Sequence, residues 1–202
     1  FFTSNPSQYF TKTRDKIYSN FIIYVKIKAN GYLIQKKAVK KMNLTFKVEE
    51  KSDNKTVEIL TREAFYNDKD LAEKGYGCSE HYMVHLLRFR DGIKELSIVA
   101  LLDNEIVGHI IFSKSHIFTD DKRTINTITF GPVSVAKKYQ NQGIGKALID
   151  HSIETAKNLG YGAIIIFGHP DYYPRFGFVP ASTYNISTKE GKNFDAFMAL
   201  EL

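Results

Sequence analysis

Residues 129–149 read TFGPVSVAKKYQNQGIGKALI: a short strand, a polar loop and a helix opened by glycine. The strand half, 129–135, is rich in β-branched and aromatic side chains, which pack well on a pleated surface. Gly131-Pro132 interrupts it, and a proline without an N–H marks a bulge or a stop in ladder pairing. From about Gly143 the apolar residues Ile144, Ala147, Leu148 and Ile153 recur at the spacing of one helical face. Between the halves lies Gln140-Asn141-Gln142-Gly143-Ile144-Gly145-Lys146. Its two glycines keep Cβ atoms away from a ligand, and a helix start leaves N–H donors unpaired. Such a turn suits phosphate or pyrophosphate.

Two other phosphate loops do not fit. A dinucleotide fingerprint needs Gly or Ala where Leu148 stands, and an acidic residue about 20 positions on, where the apolar run 163–167 lies. A P-loop needs glycine at Gln140 and Ser or Thr at Ala147.

Beyond the helix, which should run to about Leu159 and stop at Gly160, the apolar run 161–167 predicts a buried strand. Gly168-His169-Pro170-Asp171-Tyr172-Tyr173-Pro174-Arg175-Phe176-Gly177-Phe178 follows, and two more strands are expected over 178–186 and 194–200. In the other direction, residues 124–135 predict one strand entered by a turn at 120–122. Residues 96–102 and 106–112 predict a hairpin around Asp103-Asn104-Glu105. Alternating Leu, Phe and Val over 44–49 suggest a first strand. Asp53 is placed to cap a helix through Tyr66, with Val57, Leu60, Ala64 and Phe65 inward. After a polar stretch, Ser79-Glu80-His81 opens another helix, with Met83, Leu86 and Leu87 inward.

The chain has 202 residues, 43% hydrophobic and 25% charged, which suits one soluble domain with a single good core. No run of about 18 uncharged apolar residues occurs, so no membrane span is expected. Cys78 is the one cysteine, which excludes an internal disulfide and suits a reducing compartment, so a cytoplasmic protein is expected. The net charge of +6 is unevenly placed: residues 1–41 hold nine Lys or Arg against Asp15, leaving 19 basic and 21 acidic residues from Met42 onward. The basicity belongs to the tail, and no nucleic-acid partner is expected of the rest; binding through the tail would be salt-dependent. Residues 1–41 also lack Met and Glu, and Phe, Tyr, Ile, Asn and Lys make up 24 of the 41. They are read as an extension outside a domain spanning 42–202, the rival being a hairpin about Asn30-Gly31. The short apolar patch 21–25 does not suit a secretory signal.

The strand ending in Val133-Ser134-Val135, followed by Gln140-x-x-Gly143-x-Gly145 and a helix, resembles motif A of the GCN5-related N-acetyltransferases (GNAT). Tyr172-Tyr173-Pro174-Arg175-Phe176-Gly177-Phe178 is similar to that family's motif B. Residues 77–81 and 195–202 look like its bacterial YhbS-type subgroup. The resemblance covers about residues 44–202. It implies an α+β (mixed α/β) fold: a mostly antiparallel twisted sheet with a parallel, splayed central strand pair and flanking helices.

The resemblance further implies transfer of acetyl from acetyl-CoA to an amine by direct attack, without a metal. Acetyl-CoA is expected at Val133, Ser134, Val135, Gln140, Asn141, Gln142, Gly143, Ile144, Gly145, Lys146, His169 and Tyr173. The expected partner is a small-molecule or protein amine, and a homodimer is allowed. Such chemistry needs a free amine lone pair, a polarised thioester carbonyl and a proton for the leaving thiolate. By resemblance the Val135 N–H meets the oxyanion and Tyr173 protonates the thiolate; packing of Tyr173 on Phe176 and Phe178 is the plainer alternative. Residues 124–135 hold no acidic side chain, so Glu80 is the candidate base, with a first-turn carboxylate favoured by the helix dipole as its plainer role. His109 reads as a core histidine. His169 and Asp171 read either as pantetheine contacts or as turn formers. Cys78 does not read as a nucleophile, and Lys137 and Lys138 are near enough in sequence to meet nucleotide phosphates. The missing strand carboxylate leaves a non-catalytic acyl-CoA-binding module as the alternative.

Overall fold

Long apolar runs make the middle of the sheet. Strands Gly92–Leu102 (β4) and Glu105–Phe118 (β5) pair antiparallel and are buried over much of their length. Asp103 and Asn104, at φ 50° and 68°, close the hairpin, a conformation those two residue types tolerate. The computed structural model describes residues 21–29, 32–40 and 43–202. It divides between Thr45 and Phe46 into two units. In the first, strands Phe21–Ala29 (β1) and Tyr32–Lys40 (β2) pair antiparallel, from Phe21 opposite Lys40 to Ala29 opposite Tyr32. The turn expected at Asn30-Gly31 and the domain start expected at Met42 lie outside the described residues.

The larger sheet adds Leu44–Val48 (β3), Thr124–Phe130 (β6), Ser134–Val135 (β7), Ala163–Phe167 (β8), Val179–Pro180 (β9) and Phe197–Glu201 (β10). Its order is β3-β4-β5-β6-β8-β10-β9, with β7 also on β5. β4 with β5, β5 with β6 and β7, and β10 with β8 and β9 pair antiparallel, whereas β6 runs parallel to β8, with Ile128 opposite Ile164. This is the acetyltransferase-type α+β arrangement expected above.

Register alternation sorts side chains onto two faces. Helix Ile144–Asn158 (α4) covers one: a Cβ on Gly108 would meet Leu148 Cδ2 at 3.5 Å. Helices Asn54–Phe65 (α1) and Glu80–Phe89 (α3) cover the other, where Val57, Val84, Val99 and Ile111 form a fully buried cluster. Each such side chain contributes about 1.5–3 kcal/mol through burial. The Ile128–Ile164 register puts Ile164 and Ile166 on the α4 face, and Ala163, Ile165 and Phe167 on the α1–α3 face. There Ala181, Phe197 and Ala199 pack with Ile165 and Ile186.

Several local expectations are corrected. Residues 124–135 form two strands, because Gly131-Pro132-Val133 leaves the ladder. Asp53 does not cap α1 with its side chain; it accepts from the Glu50 N–H at 2.9 Å and pairs with Lys47 at 2.8 Å. Val84 rather than Met83 is buried in α3, and Met83 and Phe65 are exposed. The polar stretch holds a further helix, Asp68–Lys74 (α2), capped by Asn67 and ended by Gly75 at φ 77°. It has no buried residue, so no apolar period announces it. The strand expected over 178–186 shrinks to β9 followed by a 3-10 turn at Ala181–Tyr184.

Candidate active site

The site begins where β6 ends. β5 holds β6 through residues 112–118 and then β7 through Gly108 and His109. Between these, the Gly131 N–H donates to Ile111 O and the Ala136 N–H to Val107 O, each at 2.9 Å. Antiparallel residues alternate between hydrogen-bonded and non-bonded pairs. The Ala136 bond therefore makes Gly108–Val135 a non-bonded pair, so the Val135 N–H points away from β5. On that side β8 has parted from the strand after its single register position with β6. A backbone donor thus faces a gap between two parallel strands.

The loop into α4 spends its side chains on itself. Gln140 donates to Val135 O at 3.0 Å, and Gln142 donates to Lys138 O at 2.9 Å. Ile144 is fully buried, and Lys146 pairs with Asp150 at 2.6 Å. Gly143 holds φ 85°, a left-handed value that favours glycine, and it caps α4 without any side-chain hydrogen bond. No acidic residue sits in the first turn. The first intrahelical bond runs from the Ala147 N–H to Gly143 O at 2.9 Å, leaving the amides before Ala147 at the open end. A Cβ on Gly145 would lie 3.5 Å from Val135 Cγ2 and 3.9 Å from the Tyr172 hydroxyl, so the strand end, the helix start and Tyr172, the neighbour of Tyr173, meet there. Uncapped amides with no competing carboxylate fit the pyrophosphate of acetyl-CoA.

Tyr173 opens a 3-10 turn, Tyr173–Phe176, closed by Gly177 at φ 92°. Its ring packs 5.8 Å from both Phe130 and Phe178, and 6.2 Å from Phe176. Gly168 makes room for it, since a Cβ there would come 2.3 Å from the Tyr173 ring. Burial, followed by the neighbouring Tyr172, raises the phenol above its ordinary 10.0, so it stays protonated at neutral pH. Among the described residues its hydroxyl has no hydrogen-bond partner, while the ring does pack on Phe176 and Phe178.

The other predicted residues are less central or already engaged. Val133 lies in the segment between β6 and β7. Ser134 is buried, its hydroxyl lies 3.0 Å from Thr61 Oγ1, and its backbone belongs to the hydrogen-bonded pair with His109 of β5, so it is turned from the loop. Asn141 takes φ 59° in the loop. His169 is exposed and makes a turn: its carbonyl accepts from Tyr172 and Tyr173, and its ring accepts from the Asp171 N–H at 3.4 Å. Lys138 pairs with Glu105 at 2.7 Å. Glu80 Oε2 accepts from the Ser79 N–H at 2.9 Å and from Cys78 Sγ at 3.2 Å. Burial pushes the Cys78 thiol up, which keeps it protonated and suits no nucleophile.

Sequence reasoning missed a buried polar cluster. Arg88 donates to Glu49 from Nη2 at 2.6 Å and Nε at 3.2 Å, and also to Glu58. The Ser97 hydroxyl donates to Glu49 at 2.5 Å, and His109 Nε2 lies 3.1 Å from Ser97 Oγ and 3.3 Å from Glu49. Burial would raise Glu49, but the bonds from His109, Arg88 and Ser97 prevail and hold it at about 2. Burial pushes His109 down against the pull of Glu49, so it is neutral, a core histidine as expected. With the Ser97 proton directed at Glu49, His109 carries its proton on Nε2, and its Nδ1 is buried without a partner among the described residues. Only the run of apolar residues around His109 hinted at its burial.

Residues 57–178 match the Acetyltransferase (GNAT) family. The chain belongs to that family. It is accordingly an acyltransferase dependent on acetyl-CoA. Over 160 residues it is 27% identical to the protein named Uncharacterized N-acetyltransferase YhbS of Escherichia coli (strain K12), covering 79% of this chain and 87% of that one. The crystal structure of a GNAT family acetyltransferase from Brucella melitensis in complex with acetyl-CoA has 26% identity and a TM-score of 0.61, over 79% of this chain and 88% of that one. The structure of YhbS from Escherichia coli in complex with CoA, at 23% identity, superposes with a TM-score of 0.64 over 78% of this chain and 81% of that one, a likeness of fold. The chain is thus a YhbS-like family member. No helix among the described residues is long and apolar enough to cross a membrane.

Proposed function

We propose that the protein is an N-acetyltransferase that moves acetyl from acetyl-CoA to an amine by direct attack within a ternary complex. The acyl-CoA lies along the gap between β7 and β8, with pyrophosphate on the amides from Gln142 to Lys146. The amine nitrogen attacks the thioester carbonyl carbon, a C–N bond forms, and the oxygen takes negative charge met by the Val135 N–H. The C–S bond then breaks, and the departing thiolate takes its proton from the Tyr173 hydroxyl. The proton lost by the amine goes to Glu80, directly or through water; its Oε1 has no hydrogen-bond partner among the described residues. An alkyl ammonium has a pKa of about 10.4, so this deprotonation must be assisted at neutral pH.

The observation that carries this reading is the protonated phenol of Tyr173, without a hydrogen-bond partner among the described residues, whose ring lies against Phe130 at the end of β6. Tyr173→Phe tests it by removing one hydroxyl while keeping the ring. Release of CoA under single-turnover conditions should slow by about 10²–10⁴. Acetyl-CoA affinity and melting temperature should hardly change, and Tyr172→Phe should be mild. Near-normal turnover in Tyr173→Phe would move the acid role to water. Glu80→Gln should lower kcat/KM by about 10²–10⁴ at neutral pH with acetyl-CoA affinity unchanged; undiminished kcat/KM would remove Glu80 from the mechanism.

A further inference from the structure

The α1–α3 face of the sheet is covered twice, by the helices over β4 and β5, and by the turn Ala181–Tyr184 with Ile186 over β8 and β10. The strip along β6 lies between these covers. At its upper end, Phe167 is 71% exposed although it is strongly apolar. Its ring stacks on Phe197 at 5.0 Å and 22°, and on Phe194 at 5.8 Å and 15°, with Phe194 itself 46% exposed. Two open rings, backed by the buried Phe197, therefore form an apolar platform. It adjoins the reaction centre, because the next residue, Gly168, lies under the Tyr173 ring.

The opposite wall follows from register. Counting from Ile128 opposite Ile164, Phe167 is level with Gly131 across the gap. Gly131 is backed by Leu87 of α3, whose Cδ1 would lie 2.9 Å from a Cβ placed there. Met83 and Glu80 share the helical stripe of Leu87, and Met83 is 47% exposed. Two residues back along the same face of β8, about 7 Å away, Ile165 enters a groove of about 270 Å³. Ile117, Ile125, Ala163, Tyr184 and Ala199 also line it, and Glu201 is the one charged residue on its wall among the described residues.

We infer that the acceptor is an amine carrying a flat or bulky apolar body, which lies against Phe167 and Phe194 and extends into the groove at Ile165. An exposed aromatic platform loses its contact with water when such a body covers it, whereas a short hydroxylated amine gains nothing there. The inference rests on the acetyltransferase reading and specifies its substrate.

Initial rates of CoA release with acetyl-CoA and either 2-phenylethylamine or ethanolamine test it. The wild-type kcat/KM should be at least about tenfold higher for 2-phenylethylamine, the discrimination an apolar pocket readily supplies. Phe167→Ala should lower that ratio about tenfold with acetyl-CoA affinity, measured by calorimetry, unchanged. Phe194→Ala serves as a second variant and should act in the same direction. Equal kcat/KM for the two amines, or an unaltered ratio in both variants, overturns the inference while leaving amine acetylation standing. Absence of amine-dependent CoA release with either compound overturns the acetyltransferase reading as well.

Discussion

At the start of α4, backbone N–H groups face outward with no side-chain cap, whereas both oxygens of Glu49 are met by donors inside the protein. Both regions are polar, and both sit beside β5. They differ in who supplies the partners. Around Glu49 the chain supplies its own, so charge is held in place as architecture, tying β3, β4, β5 and α3 together. At the loop, the side chains of Gln140 and Gln142 satisfy the carbonyls of Val135 and Lys138, and the amides at the start of α4 are left uncapped. Since buried polar groups ordinarily find partners, an unmatched donor at a mouth points to binding, and a matched one to stability.

The sharpest way to break this contrast is to remove Arg88, whose side chain is 9% exposed. Arg88→Met leaves Glu49 buried and short of its strongest partner. Breaking a buried pair from one side costs about 3–5 kcal/mol, which should lower the melting temperature by roughly 10 °C. A melt within a degree or two of wild type would show that the cluster is ornamental.

Acid should dissect the same cluster. Glu49 is held at about 2 against an ordinary 4.5, so its contribution is complete above pH 4.5 and is lost as pH falls toward 2. The shift corresponds to about 3 kcal/mol. His109 is held below its ordinary 6.5, so the unfolded chain takes up its proton first, and stability should already begin to fall below pH 6.5. Both groups act in the same direction. Denaturant titrations from pH 7 to pH 3 should therefore show a steady loss, and Glu49→Gln should flatten the lower part of that curve. A wild-type stability independent of pH across this range would contradict the assignment.

The smallest effect is expected at the loop. Gly145→Val adds carbons where the proposed placement brings backbone to the ligand, and the Cβ itself meets only ordinary contacts. Acetyl-CoA affinity by calorimetry should weaken about tenfold or more, which is about 1.4 kcal/mol, with little change in melting temperature. Unchanged affinity would remove the pyrophosphate from these amides. Gly143→Val is a poorer probe, because its φ of 85° strains any larger residue whether or not ligand binds there.

Much of the fold was legible in neighbouring residues. Gly160 at φ 84° ends α4 where the glycine signal placed it, and Asp103-Asn104 turns the hairpin where two apolar runs meet. The interruption by Gly131-Pro132 was visible, but its outcome was not. Only the pairing of both halves with β5 shows that the strand is split and that the Val135 N–H is turned outward. Met83 and Val84 are adjacent apolar residues, and nothing local says which one α1 will cover. Asp53 had the residue type of a cap, yet Lys47 offered it a charge across the turn.

The sequence by itself determined the strand–loop–helix with its two glycines, the motif around Tyr173, and hence the family and its co-substrate. These depend on residues a few positions apart, whose backbone chemistry is the same in any context. The Glu49–Arg88–Ser97–His109 cluster unites residues separated by 39 and 48 positions, and the Phe167–Phe194–Phe197 platform joins two strands and a loop. Tertiary structure alone decided those, because burial gives a charge or a ring its energetic weight, and burial exists only after distant segments have packed.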